Sequence, residues 1–207
     1  MGKFIVKESP IEGLRLITSE KSGEEIDYSS MGLDVEFVSQ SVEKLARGVL
    51  RGLHFTREEE QARLITVRSG RILAVAVDLR PENRTFGAAL SYELNEHNGA
   101  MLFVPPYFAL GYVTLESGSE VEINYSTEYD PKMESGIIWD DDVLMIEWQF
   151  ERYEIDKRWL NISQRDKKLP SFRSYNPNLL WPNRPKASRY SKRRNYKEER
   201  IRRGYDD

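Results

Sequence analysis

The chain has no cysteine and only two histidines, His54 and His97, in 207 residues. The missing thiols exclude disulfides, thiolate nucleophiles and cysteine metal sites, and they suit a reducing compartment. Two histidines are too few for a multi-histidine metal site, so the expectation is metal-free chemistry. No apolar run reaches the length of a membrane-spanning helix, and the N-terminal MGKFIVKESP lacks the apolar centre of a signal peptide. Val6 stands where a myristoylation signal wants Ser or Thr. These absences point to a cytoplasmic protein with no membrane partner. Amphipathic helical periodicity is also missing from the first two thirds of the chain.

Charge is unevenly placed. Residues 183–207 hold ten Lys/Arg against four Asp/Glu, a balance of +6, while the whole chain is −3, which leaves −9 on residues 1–182. The division expected is a folded domain over 1–182 and a basic tail over 183–207. Tyr190 and Tyr196 interleave with the basic residues, as in some RNA-binding tails, but the acidic body argues against nucleic acid as the partner.

What the sequence has is short apolar runs parted by Gly, Pro and Asn turns. Strands are expected over Gly13–Thr18, Val35–Ser41, the histidine stretch beginning at Gly48, Ile65–Val67, Ile72–Leu79, Phe86–Leu94, Met101–Val104, Gly111–Leu115 and Val121–Ser126. Ser69-Gly70 between Ile65–Val67 and Ile72–Leu79 reads as a hairpin turn. Pro105-Pro106 stops a strand ladder. Residues Glu151–Leu160 and Ile162–Asp166 read as short helical or irregular pieces packed on the strands. Many short strands at this spacing predict an all-β sandwich or barrel.

His54 lies on one of these strands, in GVLRGLHF. An imidazole inside an apolar sheet serves either as core filler or as a proton carrier, and the residue alone does not decide. His97, in the polar turn Asn95–Gly99, is expected to face water.

Several ordered motifs resemble the dTDP-4-dehydrorhamnose 3,5-epimerase family. They are Arg51-Gly52-Leu53-His54, Gln61-Ala62-Arg63-Leu64, Phe103-Val104-Pro105-Pro106 with Phe108-Ala109-Leu110-Gly111-Tyr112, and Gly136-Ile137-Ile138-Trp139-Asp140-Asp141. The resemblance runs from about Phe37 to Asp166. It implies a double-stranded β-helix, the cupin-like jelly roll, and a homodimer. It also implies a nucleoside-diphosphate 4-keto-6-deoxyhexose as substrate. In that chemistry the C4 ketone acidifies the hydrogens at C3 and C5, a base removes one, and an acid returns a proton to the opposite face, so the resemblance implies no cofactor.

Carried over by residue, the resemblance makes His54 the base and Asp166, in Ile162–Asp166, its carboxylate partner. Arg63 stands where the family has an enolate-stabilising lysine, and Arg51 where an arginine meets the diphosphate. Gln61 and Asp27 are expected at the substrate, although the family's Asp-x-Arg-Gly segment is poorly kept around Ser22-Gly23. The family's acid, a tyrosine, falls on Ile123. Tyr125 is two residues on, on the same strand face, and is expected to face the sugar in its place. The family's second histidine falls on Leu110, one of its aspartates on Ala74, and Tyr107 is expected to narrow the pocket. With the base kept and the acid lost, other readings stay open beside double epimerisation. They are inversion at a single carbon, another proton transfer such as isomerisation or dehydration, and a non-catalytic nucleotide-sugar binder.

Overall fold

The computed structural model describes residues 4–19, 31–57 and 60–180. Asp27, the polar turn after Ser19 and the basic tail 183–207 lie outside the described residues.

Among the described residues, twelve strands form two facing sheets. The first has the order β1 (Phe4–Glu8), β2 (Arg15–Ser19), β8 (Ala100–Val104), β5 (Arg63–Ser69), β10 (Ser119–Tyr125), β3 (Ser39–Leu45). The second has the order β11 (Glu134–Gly136), β4 (Val49–Thr56), β9 (Phe108–Thr114), β6 (Arg71–Asp78), β7 (Ala89–Asn95). Every one of these pairings is antiparallel, and β12 (Asn161–Ile162) adds a short parallel pairing to β4. The fold is the all-β, cupin-like sandwich expected from the sequence.

β6 shows why the sequence pattern is continuous rather than alternating. Its Ile72, Ala74 and Ala76 face the core between the sheets, against Ile65, Leu102 and Val121. Its Leu73, Val75 and Val77 face outward under Leu144, Trp148 and Phe150 from the C-terminal third. A strand covered on both faces carries apolar residues at every position. A third cluster, with Ile17, Leu64, Met101 and Phe103, packs the outer face of the first sheet under Met31 and Leu33. Each buried Val, Leu, Ile, Phe or Met side chain contributes roughly 1.5–3 kcal/mol by leaving water.

The expected hairpin at Ser69-Gly70 is not a hairpin. β5 pairs with β10 and β8, whereas β6 pairs with β7 and β9. The turn carries the chain from one sheet to the other. Gly70 has φ +77°, and a Cβ there would lie 2.5 Å from Ser119 Oγ and 2.8 Å from Ser119 Cα. That crowding requires glycine at a sheet corner as firmly as in a hairpin loop, which is why the two look alike in sequence. Two more differences concern strand ends. Val35–Val38 is not strand, and β3 starts at Ser39, while Phe4–Glu8 forms an edge strand absent from the sequence reading.

Among the described residues, the last third combines three 3-10 turns, Lys157–Trp159, Asp166–Lys168 and Phe172–Ser174, with one helical turn, Pro177–Leu180. Asp141 fastens it. One carboxylate oxygen accepts from the Val143 and Leu144 amides at 3.0 Å each, the other from the Ser171 hydroxyl and Phe172 amide at 2.8 Å each. Burial alone would raise this carboxyl, but the donors around it outweigh burial and hold it below the usual aspartate range. No helix among the described residues is long and apolar enough to cross a membrane.

Candidate active site

A cavity of about 350 Å³ opens between the sheets. One wall comes from β3, β5 and β10, the other from β4 and β9, and residues 163–166 close one side.

An irregularity in β4 builds the second wall. Arg51 is opposite Tyr112 and His54 opposite Leu110, so three steps on β4 match two on β9. In an undisturbed strand, residues three apart point to opposite faces. The extra residue turns Arg51 and His54 to the same cavity. Gly52 makes this geometry possible. It has φ +100°, and a Cβ would stand 2.7 Å from the Leu110 carbonyl oxygen and 2.8 Å from Gly111 Cα.

His54 Nε2 is 2.9 Å from Asp166 Oδ1. Asp166 Oδ2 accepts the Gly52 amide at 3.3 Å, and the Asp166 amide donates to the Ser163 hydroxyl at 2.9 Å. Asp166 is 1% exposed. Burial pushes its carboxyl up, but the His54 hydrogen bond and charge, with Gly52 and Ser163, bring it below the usual aspartate range. An ionised Asp166 accepts the Nε2 hydrogen and leaves the lone pair on Nδ1. Near Nδ1 stands Glu134 Oε1 at 3.6 Å, and Glu134 Oε2 is held by Arg165 at 2.9 Å.

Arg63 is buried and fixed by neutral acceptors only. Its Nε donates to Gln61 Oε1 at 3.2 Å, one Nη to the His54 carbonyl at 2.8 Å, and the other to the Thr56 hydroxyl at 2.9 Å. Three of five N–H groups are thus used, and two have no acceptor among the described residues. Burial lowers its pKa, with Glu134 opposing, yet a guanidinium stays charged throughout the working pH range.

On the same wall, beside Arg63 on the neighbouring strand, the Tyr125 hydroxyl is 3.0 Å from the Ser41 hydroxyl, and its ring stacks on Tyr129 with centroids 4.9 Å apart. Burial pushes the Tyr125 phenol up to about 12, with Ser41 and Arg63 pulling it down. It therefore holds its proton at neutral pH. Farther along, the Tyr112 hydroxyl reaches across the sandwich and donates to Glu43 Oε2 at 3.0 Å. The same oxygen accepts from Arg51 Nε at 3.2 Å. Burial and the Glu43 carboxylate both raise the Tyr112 phenol well above its ordinary value.

The structure brings together His54, Asp166, Arg63, Tyr125 and Arg51 in this one cavity. Ile123, on the same face of β10 as Tyr125, lines it as well. Gln61 is not at its surface. It lies behind, clamped between the Thr56 and Thr127 hydroxyls and aimed at Arg63. Tyr107 is not a cavity residue either. The turn after Pro106 puts it at φ +66°, its carbonyl accepts the Leu79 amide, and its side chain packs on the outer core. His97 faces water, its side chain 87% exposed. Among the described residues, no three His, Asp or Glu side chains are grouped to hold a metal ion.

Sequence reasoning missed Ser41, Glu43, Tyr112, Tyr129, Glu134 and Arg165. Some were within its reach. Ser41 and Glu43 alternate on one strand, and Tyr112 stands two residues from Leu110, so each pair shares a face.

The family model described as dTDP-4-dehydrorhamnose 3,5-epimerase matches residues 13–174. A curated relative of that name from Methanothermobacter thermautotrophicus is 34% identical over 190 residues, covering 87% of this chain and all of its own. A crystal structure of the Bacillus anthracis dTDP-4-dehydrorhamnose 3,5-epimerase with TDP and PPi bound superposes with a TM-score of 0.73 at 28% identity, over 82% of this chain and all of the other. The Legionella pneumophila dTDP-6-deoxy-D-glucose-3,5-epimerase, in complex with dTDP-4-keto-L-rhamnose, shares the fold with a TM-score of 0.76 at 24% identity, over 86% and 98% of the chains. Motifs, fold and relatives agree, and the chain belongs to the dTDP-4-dehydrorhamnose 3,5-epimerase family.

Proposed function

We propose that this chain is a nucleotide-sugar epimerase acting on a dTDP-4-keto-6-deoxyhexose at the carbons that flank the ketone. The observation that carries this reading is one imidazole backed by a buried carboxylate, beside a buried arginine with two uncommitted N–H groups, in one cavity. In the proposed reaction His54 takes the proton from C3 or C5. The C–H electron pair becomes the C=C bond of an enolate, and the ketone π pair moves onto O4. Arg63 meets the charge on O4, where donors fixed beforehand act most strongly. Tyr125, on the facing wall, returns a proton to the other face of the carbon, so that the configuration inverts. The residues present supply each step without a cofactor.

Arg51 is the proposed partner of the diphosphate, a natural use of a planar cation. The relatives described as bound to TDP and to dTDP-4-keto-L-rhamnose support a nucleotide sugar as the ligand class. A homodimer is also proposed. Supporting it are exposed apolar side chains on both edge strands of the first sheet, Ile5 and Val6 on β1 and Val42 on β3. Sedimentation of the purified chain at micromolar concentration gives a monomer mass if that is wrong.

The test of the activity is conversion of a dTDP-4-keto-6-deoxyhexose, followed by NMR couplings around the ring. The expected result is inversion at C3, C5 or both. A substrate that binds and returns with both centres unchanged, under conditions where a relative converts it, contradicts the reading.

A further inference from the structure

Each carboxylate of the cavity has a basic partner. Glu43 sits on Arg51, Glu134 on Arg165 and Asp166 on His54. With His54 neutral, three carboxylates balance the three arginines that line the site. Among the described residues, such a cavity has no surplus positive charge for a diphosphate, although the proposed ligand brings one.

The three carboxylates are unequally committed. The Asp166 and Glu134 side chains are 2% and 9% exposed, whereas Glu43 is 45% exposed. Both donors to Glu43, Arg51 Nε and the Tyr112 hydroxyl, end on Oε2. Oε1 accepts no hydrogen bond among the described residues. Ion pairs this exposed are weak, because water competes for both partners. A phosphate, by contrast, offers a guanidinium two parallel charge-assisted bonds. Glu43 is therefore the carboxylate that an incoming anion can dislodge.

We propose that Glu43 is a displaceable counter-ion, seated on Arg51 while the cavity is empty and released when the ligand's diphosphate takes that guanidinium. The exchange opposes binding of every diphosphate, so Glu43 sets the affinity for the ligand and eases the departure of product. Tyr112 keeps Glu43 close by, since its hydroxyl holds the same oxygen from the opposite sheet. The inference rests on Arg51 as the diphosphate residue.

Titration calorimetry with dTDP, inorganic pyrophosphate and thymidine tests it on Glu43→Gln, Arg51→Ala and the double variant. Glu43→Gln should bind dTDP and pyrophosphate about two- to fivefold more tightly, as loss of an exposed competing ion pair predicts. Thymidine, with no phosphate, should bind as before. In the Arg51→Ala background the gain should vanish, because the competition is for Arg51. Glu43→Ala, with no side chain left to refill the seat, should repeat the gain, and melting curves confirm that each variant is folded. If Glu43→Gln binds pyrophosphate equally or more weakly while Arg51→Ala still weakens it, the counter-ion role is wrong and the role of Arg51 stands. If Arg51→Ala changes nothing, both are wrong.

Discussion

Asp166 stands 112 positions after His54 in sequence, and its Oδ1 is 2.9 Å from His54 Nε2. The pair depends on two local devices. The bulge at Gly52 turns His54 inward, and β12, paired to Val49 and Leu50, brings the chain back beside β4 four residues before Asp166. Asp166→Asn keeps the shape but removes the charge that fixes the tautomer. We expect a folded protein whose proton exchange into substrate slows by roughly 100-fold, the lower end of general acid–base contributions. Single-turnover exchange rates on the purified variant check this, and a normal rate removes Asp166 from the mechanism.

Arg63 is held by three neutral acceptors and has its remaining donors free, so its effect should appear mainly in the rate of chemistry. Arg63→Gln should lower kcat by about 100-fold or more, with a much smaller change in KM, as for loss of an oxyanion donor. Arg63→Lys keeps the charge and should recover part of kcat. A variant that changes KM alone would show that Arg63 binds the ground state instead.

Tyr125 and Ile123 share one face of β10 and both line the cavity. A phenol pushed up to about 12 remains protonated at neutral pH and can give its proton to an enolate. Tyr125→Phe should preserve proton abstraction and lose inversion. If Tyr125→Phe is silent and Ile123→Tyr increases inversion, the native site lacks an opposite-face donor at both positions.

Asp141 ties Ser171 and Phe172 to the loop after β11, and Asp141→Ala leaves those donors without their acceptor. The expected loss is roughly 2–4 kcal/mol at neutral pH, measured by urea unfolding. Its pKa is lowered in the folded protein. As pH falls, the unfolded chain takes up the proton first, so stability declines with it. The Asp141 contribution is therefore complete above about pH 4, the ordinary aspartate value, and is lost as pH falls through the lowered folded value. The gap between wild type and Asp141→Ala should narrow below about pH 4. A gap independent of pH would mean that the side chain acts by packing.

Much of this was legible in the sequence. Apolar runs and Gly, Pro and Asn punctuation gave the strands, and the Arg51–His54 and Ile162–Asp166 motifs gave the pair at the centre of the site. Sheet membership was harder to read. Gly70 marks a tight turn in either case, and only the partners of β5 and β6 distinguish a corner from a hairpin. The same limit hid the contact between Tyr112 and Glu43, which belong to different sheets and meet across the core. Tyr107 misled because a motif position does not reveal the side-chain direction that a positive φ imposes.

The most direct measurement is deuterium incorporation from heavy water into dTDP-4-keto-6-deoxyhexose, read by mass and by position, for wild type and folded His54→Ala. The account predicts label at C3, C5 or both with the wild type, and a loss of about 100- to 10,000-fold in rate with His54→Ala. Exchange that persists at the wild-type rate in folded His54→Ala would contradict it.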